Sequence, residues 1–348
     1  MSTDTIDATK GAEAALTSKD FSTDQDVRWC PGCGDYSILK QVQKVMPELG
    51  IPKEDIVFIS GIGCSSRFPY YMETYGMHSI HGRATAVASG LKATRPELSV
   101  WIVSGDGDSL SIGGNHFIHL LRRNLDVNLL LFNNEIYGLT KGQYSPTSPK
   151  GTINKATPMG SIDNPFNPTS LALGASASFV SRSMDRDPKH LQVILKRAYD
   201  YKGSSFIEIY QNCNIFNDGI FFAFTEKSSK KNAAIFLEDG QPLIFGEDDD
   251  KGIKLDGFKP TIVDLNKDSK NDLWIHDEKD AIKANILSGF FGDPIEGHGL
   301  PRPFGVFYAT DRPTYEDIME EQIEQAIEKK GEGDLDKLLA GNATWDIG

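Results

Sequence analysis

The sequence predicts an α/β protein, a doubly wound and mostly parallel sheet covered by helices on both faces. Two observations carry that expectation. Apolar runs of strand length alternate with amphipathic runs of helix length up to about residue 213. Two of the strand-like runs pass straight into glycines, as strands of an open sheet do where they border a ligand crevice.

The elements follow in order. In "DYSILKQVQKVMPEL" the residues Ile38, Val42, Val45 and Leu49 lie at helical spacing, and "EDIVFISGIGCSSR" reads as a short buried strand running into glycines. The stretch "GRATAVASGLKATR" suits a helix of small residues packed closely on a sheet, "LSVWIVSGDGD" a strand, "GGNHFIHLLRRN" a helix and "VNLLLFNN" a strand. Two further units place helices in "NPTSLALGAS" and "DPKHLQVILKRAYDY" and extended chain in "ASFVSR" and "SSFIEIYQNC". Between them and the preceding strand, residues Ser145 to Asn167 are rich in Pro, Gly, Ser, Thr and Asn. A loop of that length inside a compact domain is usually functional or disordered. Beyond Cys213 the texture changes to short strands, turns and charges, with one helix near "TYEDIMEEQIEQAIEKK". The division read from this is a flexible tail over residues 1–20, a main domain over 21–213 and an irregular extension over 214–348.

At 348 residues and 39% hydrophobic content the chain is long enough for a sizeable core. Its first twenty residues have neither a basic start nor an apolar segment, so they do not read as a secretory signal. No run approaches the roughly 20 apolar residues that span a bilayer. The expectation is a cytoplasmic protein without a membrane partner. A net charge of -13 repels nucleic acid and anionic lipid, so neither is an expected ligand.

Four cysteines are too few for a disulfide framework in a chain of this size, which leaves metal ligation or catalysis. Cys30 and Cys33 in "WCPGCGD" suit half of a zinc site, a redox dithiol or two ligands of an iron-sulfur cluster. With Cys64 and Cys213 added, zinc and a four-iron cluster are served equally well. A dithiol leaves Cys64 and Cys213 unexplained. Cys30 and Cys33 precede a predicted helix, while Cys64 and Cys213 each follow a predicted strand, so all four are placed to converge.

The turn "GDGD", Gly105 to Asp108, follows an apolar strand directly. It is neither a dinucleotide fingerprint nor a P-loop, because the later glycine spacing and the Gly-Lys-Ser/Thr are missing. About thirty residues on, the next strand ends at "FNNEIYGLTKGQ", so neighbouring strand ends present Asp106 and Asn134 to one point. A carboxylate, an amide oxygen and a nearby carbonyl make a hard oxygen set for Mg2+ holding a diphosphate.

The Gly-Asp-Gly turn followed by Asn-Asn resembles the thiamine diphosphate motif. Joined to "WCPGCGD", "GIGCSSR", "HGRA" and "QNCNIFN" in the same order, it resembles the beta subunits of 2-oxoacid:ferredoxin oxidoreductases over residues 28 to about 225. The extension, with "FTEKSSKKN", "DLWIHDE" and "RPFGVF", is similar to the longer beta subunits that act on 2-oxoglutarate.

That resemblance implies the thiamine diphosphate-binding fold and a full cofactor set. Cys30, Cys33, Cys64 and Cys213 would hold one 4Fe-4S cluster, and Asp106, Asn134 and the Ile136 carbonyl would hold Mg2+. Gly105, Gly107, Asp108, Tyr137, Gly138, Leu139 and Thr140 would line the diphosphate, with Ile62, Gly63 and Cys64 on the thiazolium side. His81, beside Arg83 in "HGRA", would reach the cofactor, its alternative being a bond to the loop backbone; His78 is left undecided. Arg67 would pair with the distal carboxylate of a dicarboxylic 2-oxoacid, a position where many relatives carry lysine and where the alternative is an unattached surface arginine. Leu139 and Lys141 would shape the same pocket.

The implied reaction is decarboxylation of 2-oxoglutarate with coenzyme A taking the acyl group and two electrons leaving singly for ferredoxin. Pyruvate or a branched 2-oxoacid is the rival substrate, and a non-catalytic electron-transfer or zinc-stabilised subunit the rival role. No acidic residue of these motifs suits the glutamate that thiamine enzymes set against the aminopyrimidine. In the family it comes from the alpha subunit, so a heterotetramer of two alpha and two beta chains is implied. Ferredoxins are typically acidic, so a chain of this charge would dock one through a local basic surface such as "KSSKKN", Lys227 to Asn232, or through its partner.

Overall fold

Strands and helices alternate along the first two thirds of the computed structural model, which describes residues 16–268, 270–292, 299–343 and 345. Most of the tail expected over residues 1–20 therefore lies outside the described residues. Helix α1 (Asp35–Val45) leads to β1 (Ile56–Ser60), β2 (Tyr75–His78), α2 (Ala84–Thr94) and β3 (Ser99–Gly105). The short α3 (Asp106–Leu110) and α4 (Gly114–Arg123) carry the chain to β4 (Val127–Asn133). After the long loop come α5 (Pro168–Gly174), β5 (Phe179–Met184), α6 (Pro188–Asp200) and β6 (Ser205–Tyr210). Then follow single-turn α7 (Phe222–Thr225) and α8 (Lys230–Ala233), β7 (Ala234–Phe236), β8 (Ile244–Phe245), β9 (Lys251–Asp256) and β10 (Lys259–Asp264). Helix α9 (Ala281–Ser288), β11 (Arg302–Ala309), α10 (Tyr315–Lys330) and α11 (Leu335–Ala340) complete the order.

Eight strands form one sheet in the order β2-β1-β3-β4-β6-β5-β11-β7. All neighbours run parallel except β5 with β11. The mostly parallel, doubly wound sheet expected from the alternation is therefore the observed one. Strands β1, β4, β5 and β6 are buried along their whole length, which is why β1 and β4 read as nearly continuous apolar runs, while β5 and β6 each bury one charge, Arg182 and Glu208, that pair with each other. On one face Ile38 and Val42 of α1 and Leu191 and Ile194 of α6 pack on Phe58, Trp101, Leu130 and Ile207. On the other, Ala88 of α2 and Phe117 and Leu120 of α4 pack on Ile59, Ile102, Leu129 and Phe206. Each such large apolar side chain contributes about 1.5–3 kcal/mol by leaving water. Helix α6 starts cleanly because Asp187 accepts from the His190 amide and Pro188 sits in the first turn.

The change of texture at Cys213 does not interrupt the sheet. Strand β11, from the extension, lies antiparallel on β5, and β7 adds beyond it. A bidentate Arg197–Glu278 pair ties the extension to the main body, and a 2.8 Å contact of His276 Nε2 with the Val306 carbonyl holds β11 within the extension. Strands β8 to β10 form a separate three-stranded antiparallel sheet. Several elements went unread in the sequence for a local reason: β2 is an exposed edge strand of four residues, and α3 and α9 are helices of only five and eight residues.

Candidate active site

From β1 the chain reaches β2 on one side and β3 on the other, so the strand order reverses between β1 and β3. The carboxyl ends of strands at such a reversal bound a crevice. A cavity of about 420 Å³ occupies it. Ile62, Gly63 and Cys64 enter it after β1, His81 from the loop before α2, Gly105 to Asp108 after β3, and Asn134 and Ile136 to Thr140 after β4. Ser65, Ser111, Ile112, Phe132 and Gln143 complete the wall, and sequence reasoning did not name these.

Asp106 heads α3 and is only 2% exposed. Burial pushes its carboxyl up to about 6, against the pull of hydrogen bonds from Ser145 and Thr147. Its Oδ2 accepts from both hydroxyls, that of Thr147 at 2.6 Å. Asn134 Oδ1 accepts from the Ile136 amide at 3.2 Å, and its Nδ2 donates to Gln211 Oε1 at 2.8 Å. A carboxylate, an amide oxygen and a neighbouring carbonyl in one cavity wall fit a hard divalent cation with open positions for phosphate oxygens. Asp108 differs from its neighbour: its Oδ1 accepts from the Gly82 amide at 2.7 Å and its Oδ2 from Ser104 Oγ at 2.6 Å. That carboxylate braces the "HGR" turn against β3.

Tyr137 donates to the Gly107 carbonyl at 3.1 Å, and a Cβ at Gly107 would stand 2.2 Å from the Tyr137 ring. Only glycine permits that close approach. Glu135, buried beside these groups, takes a left-handed φ of 55°, and burial pushes its carboxyl up to about 8.

None of the four cysteines is in a disulfide. Their segments are nevertheless stitched together. The Cys33 amide donates to the Cys30 carbonyl at 3.0 Å, the Gly34 amide to Asn212, and Trp29 Nε1 to the Cys64 carbonyl at 2.6 Å. Gln211 Nε2 donates to Cys33 Sγ at 3.3 Å. A Cβ at Gly138, in the cavity wall, would lie 3.5 Å from Cys64 Sγ and 3.6 Å from Cys213 Sγ, so both sulfurs stand beside Gly138, and Cys64 itself lines the cavity. Burial pushes the Cys64 thiol up to about 12, with Asp35, Cys213 and Cys30 adding to it. Burial raises Cys33 further, helped by Asp35 and Cys213. Asp35 itself is buried with both carboxylate oxygens unpartnered and is pushed up to about 7. Thiols in such surroundings become thiolates only when a cationic centre compensates their charge. Among the described residues no three His, Cys, Asp or Glu side chains close up round a single-ion site.

Other candidates are distributed differently. His81 lines the cavity and is exposed. His78 sits outside the wall, its Nδ1 2.9 Å from the Ser66 carbonyl. Arg67 lines a separate cleft with Asp24, Asp26, Arg28 and Tyr70, although it is close enough to Cys64 to lower that thiol's pKa. Leu139 lines the cavity and Lys141 does not. Of the basic segment, Lys230 pairs with Asp187 and Lys231 with Glu247, whereas Lys227 lines an outer cleft that reaches Cys33. No helix among the described residues is long and apolar enough to cross a membrane.

Comparison with known proteins adds an independent line. Residues 61–209 match the family model described as the thiamine pyrophosphate enzyme C-terminal TPP binding domain. The chain is 49% identical to 2-oxoglutarate oxidoreductase subunit KorB of Mycobacterium tuberculosis, over 94% of this chain and 88% of that one. It is 46% identical to 2-oxoacid:ferredoxin oxidoreductase 1 subunit beta of Aeropyrum pernix, over 55% of this chain and 60% of that one. Among solved structures it resembles the 2-oxoglutarate:ferredoxin oxidoreductase of Magnetococcus marinus with 2-oxoglutarate, coenzyme A and succinyl-CoA bound. There the TM-score is 0.74 at 33% identity, covering 93% of this chain and 95% of that one.

Proposed function

Since the chain belongs to the beta subunits of the 2-oxoacid:ferredoxin oxidoreductases, we propose that with an alpha subunit it interconverts 2-oxoglutarate plus coenzyme A and succinyl-CoA plus CO2. Electrons pass through one 4Fe-4S cluster to or from ferredoxin. The observation that carries this reading is the shared wall. The cavity that holds Asp106, Asn134 and Ile136 is lined by Cys64 and by Gly138, and the sulfur of Cys213 lies beside Gly138, so a cofactor there lies next to the cysteines.

In this reading Asp106, Asn134 and the Ile136 carbonyl hold Mg2+, and the Gly105–Asp108 and Tyr137–Thr140 turns cradle a diphosphate. Cys30, Cys33, Cys64 and Cys213 hold the cluster. One 4Fe-4S cluster takes four cysteine thiolates, the number this chain carries, and the thiamine motif beside them favours it over a tetrahedral zinc ion. Bound thiamine diphosphate supplies carbanion stabilisation and the cluster supplies one-electron transfer. The chain's own share is to fix the diphosphate, keep water from the cavity behind Phe132, Ile136 and Leu139, and set the electron acceptor beside the reacting centre. The choice of 2-oxoglutarate over pyruvate or a branched 2-oxoacid is supported by two relatives that match along nearly the whole chain, a 2-oxoglutarate oxidoreductase subunit and a 2-oxoglutarate:ferredoxin oxidoreductase with 2-oxoglutarate bound.

A glutamate facing the aminopyrimidine is expected from the alpha subunit. Ile153, Met159 and Ile162 of the long loop, 73%, 95% and 82% exposed, suit a surface that this partner covers. The isolated chain should then be inactive. Ferredoxin suits the outer cleft at Cys33, where Lys227 offers positive charge and Arg186 is paired with Glu226.

The test is spectroscopic. Anaerobically purified protein is assayed for iron, sulfide and zinc, and its low-temperature electron paramagnetic resonance spectrum is recorded after dithionite reduction. About four irons per chain with a signal on reduction supports the cluster. Stoichiometric zinc without iron would leave a thiamine enzyme lacking its electron path.

A further inference from the structure

Beneath the cavity, Ser145 and Thr147 converge on one oxygen of Asp106. Both lie in the Pro- and Ser-rich loop that interrupts the strand-helix alternation, and both are buried, at 2% and 1% exposure. The loop is fixed there by its own bonds: the Ser145 amide donates to Ser148 Oγ at 2.8 Å, Ser148 Oγ donates to the Glu135 carbonyl, and the Pro146 carbonyl accepts from the Phe166 amide.

The Thr147 hydroxyl stands between two acceptors, Asp106 Oδ2 at 2.6 Å and Asn133 Oδ1 at 3.0 Å. Asn133 cannot be turned round. Its Nδ2 donates to Glu208 Oε1 at 2.8 Å, a carboxylate that only accepts, and its Oδ1 accepts from the Glu135 amide. Glu208 is held in turn by Arg182 Nε at 2.7 Å, a pair in which both side chains are almost completely buried. Arg182 spends its remaining nitrogens on Thr169 and the Pro303 carbonyl. The Thr147 hydrogen therefore leans to the stronger acceptor, the ionised Asp106 carboxylate.

With Ser145 and Thr147 both donating, Oδ2 has its two in-plane lone pairs occupied. Among the described residues no side-chain donor reaches Oδ1. We infer that Ser145 and Thr147 are positioning residues that block one Asp106 oxygen, so that the cation takes the other alone, which favours Mg2+ over Ca2+. Mg2+ accepts single oxygens at about 2.0–2.1 Å in an octahedron, whereas Ca2+ takes about 6–8 oxygens and gains from bidentate carboxylates. The Arg182–Glu208–Asn133 row fixes the clamp from below. This rests on the reading that Asp106 faces a metal-held diphosphate.

The test measures thiamine diphosphate binding by the metal-stripped complex of this chain with its alpha subunit, by titration calorimetry, while Mg2+ or Ca2+ is varied. In Thr147→Val the Mg2+:Ca2+ preference should fall about tenfold, in keeping with one lost bond to a charged group. Thr147→Ser, which keeps the hydroxyl, should retain it, with thermal melting confirming that both variants fold. If Thr147→Val does not assemble, Ser145→Ala removes the other donor with little loss of volume and carries the same expectation. An unchanged preference in these variants, or an equal fall in Thr147→Ser, overturns the clamp. Wild-type complex that binds the cofactor without any divalent cation overturns the site reading and the clamp with it.

Discussion

Gln211 joins Asn134 to Cys33: its Oε1 accepts from Asn134 Nδ2 at 2.8 Å while its Nε2 donates to Cys33 Sγ at 3.3 Å. One buried amide thus touches both the cation shell and the cysteines. A donor on a ligand sulfur stabilises the more negative, reduced cluster. Gln211→Leu should lower the cluster's midpoint potential, read by potentiometric titration of the paramagnetic signal. An unchanged potential would show that the bond does not act on a cluster ligand.

Asp106 is the one acidic side chain assigned to the cation, so its removal should be decisive. Asp106→Ala should abolish Mg2+-dependent thiamine diphosphate binding by the assembled complex. Chelation should release the cofactor from wild type, and restored Mg2+ should reload wild type and not the variant. Retained binding in Asp106→Ala would move the diphosphate elsewhere.

Arg67 offers a sharp substrate test because its guanidinium lines a cleft outside the cavity yet lies near Cys64. If it swings to meet a distal carboxylate, Arg67→Gln should raise KM for 2-oxoglutarate about tenfold or more and leave that for pyruvate little changed. Equal effects on both would assign it to the outer cleft with Asp24 and Asp26.

His190 predicts an acid limb of stability. Its ring contacts Ser183 Oγ at 2.8 Å, and burial lowers its pKa from 6.5 to about 4. The unfolded chain binds the proton first, so this contribution is complete above about 6.5 and is lost as pH falls through about 4. Urea midpoints of wild type should decline over that range, and His190→Asn should flatten the decline. Parallel declines would place the sensitivity in other groups.

The division between sequence and structure follows the range of the forces involved. Hydrophobic periodicity is local, so α1, β1, β3, β4, α6 and β6 were legible, and with them the strand ends that bear Cys64, Asp106, Asn134 and Cys213. A parallel sheet gathers such ends by construction, which is why motifs far apart in sequence share one cavity. Ser145 and Thr147 left a signal only as hydroxyls in an overlong loop, since which oxygen they reach depends on how that loop closes. The same holds for Asn133, a relay one residue from the assigned Asn134, because alternate residues of a strand face opposite sides. It holds again for β11, whose place beside β5 is decided by long-range pairing. The sequence by itself determined the layers and the chemistry at the strand ends. Only the tertiary structure decided which side chains brace them, because hydrogen bonds act over about 3 Å and the loops that deliver them find their positions only when the whole sheet is assembled.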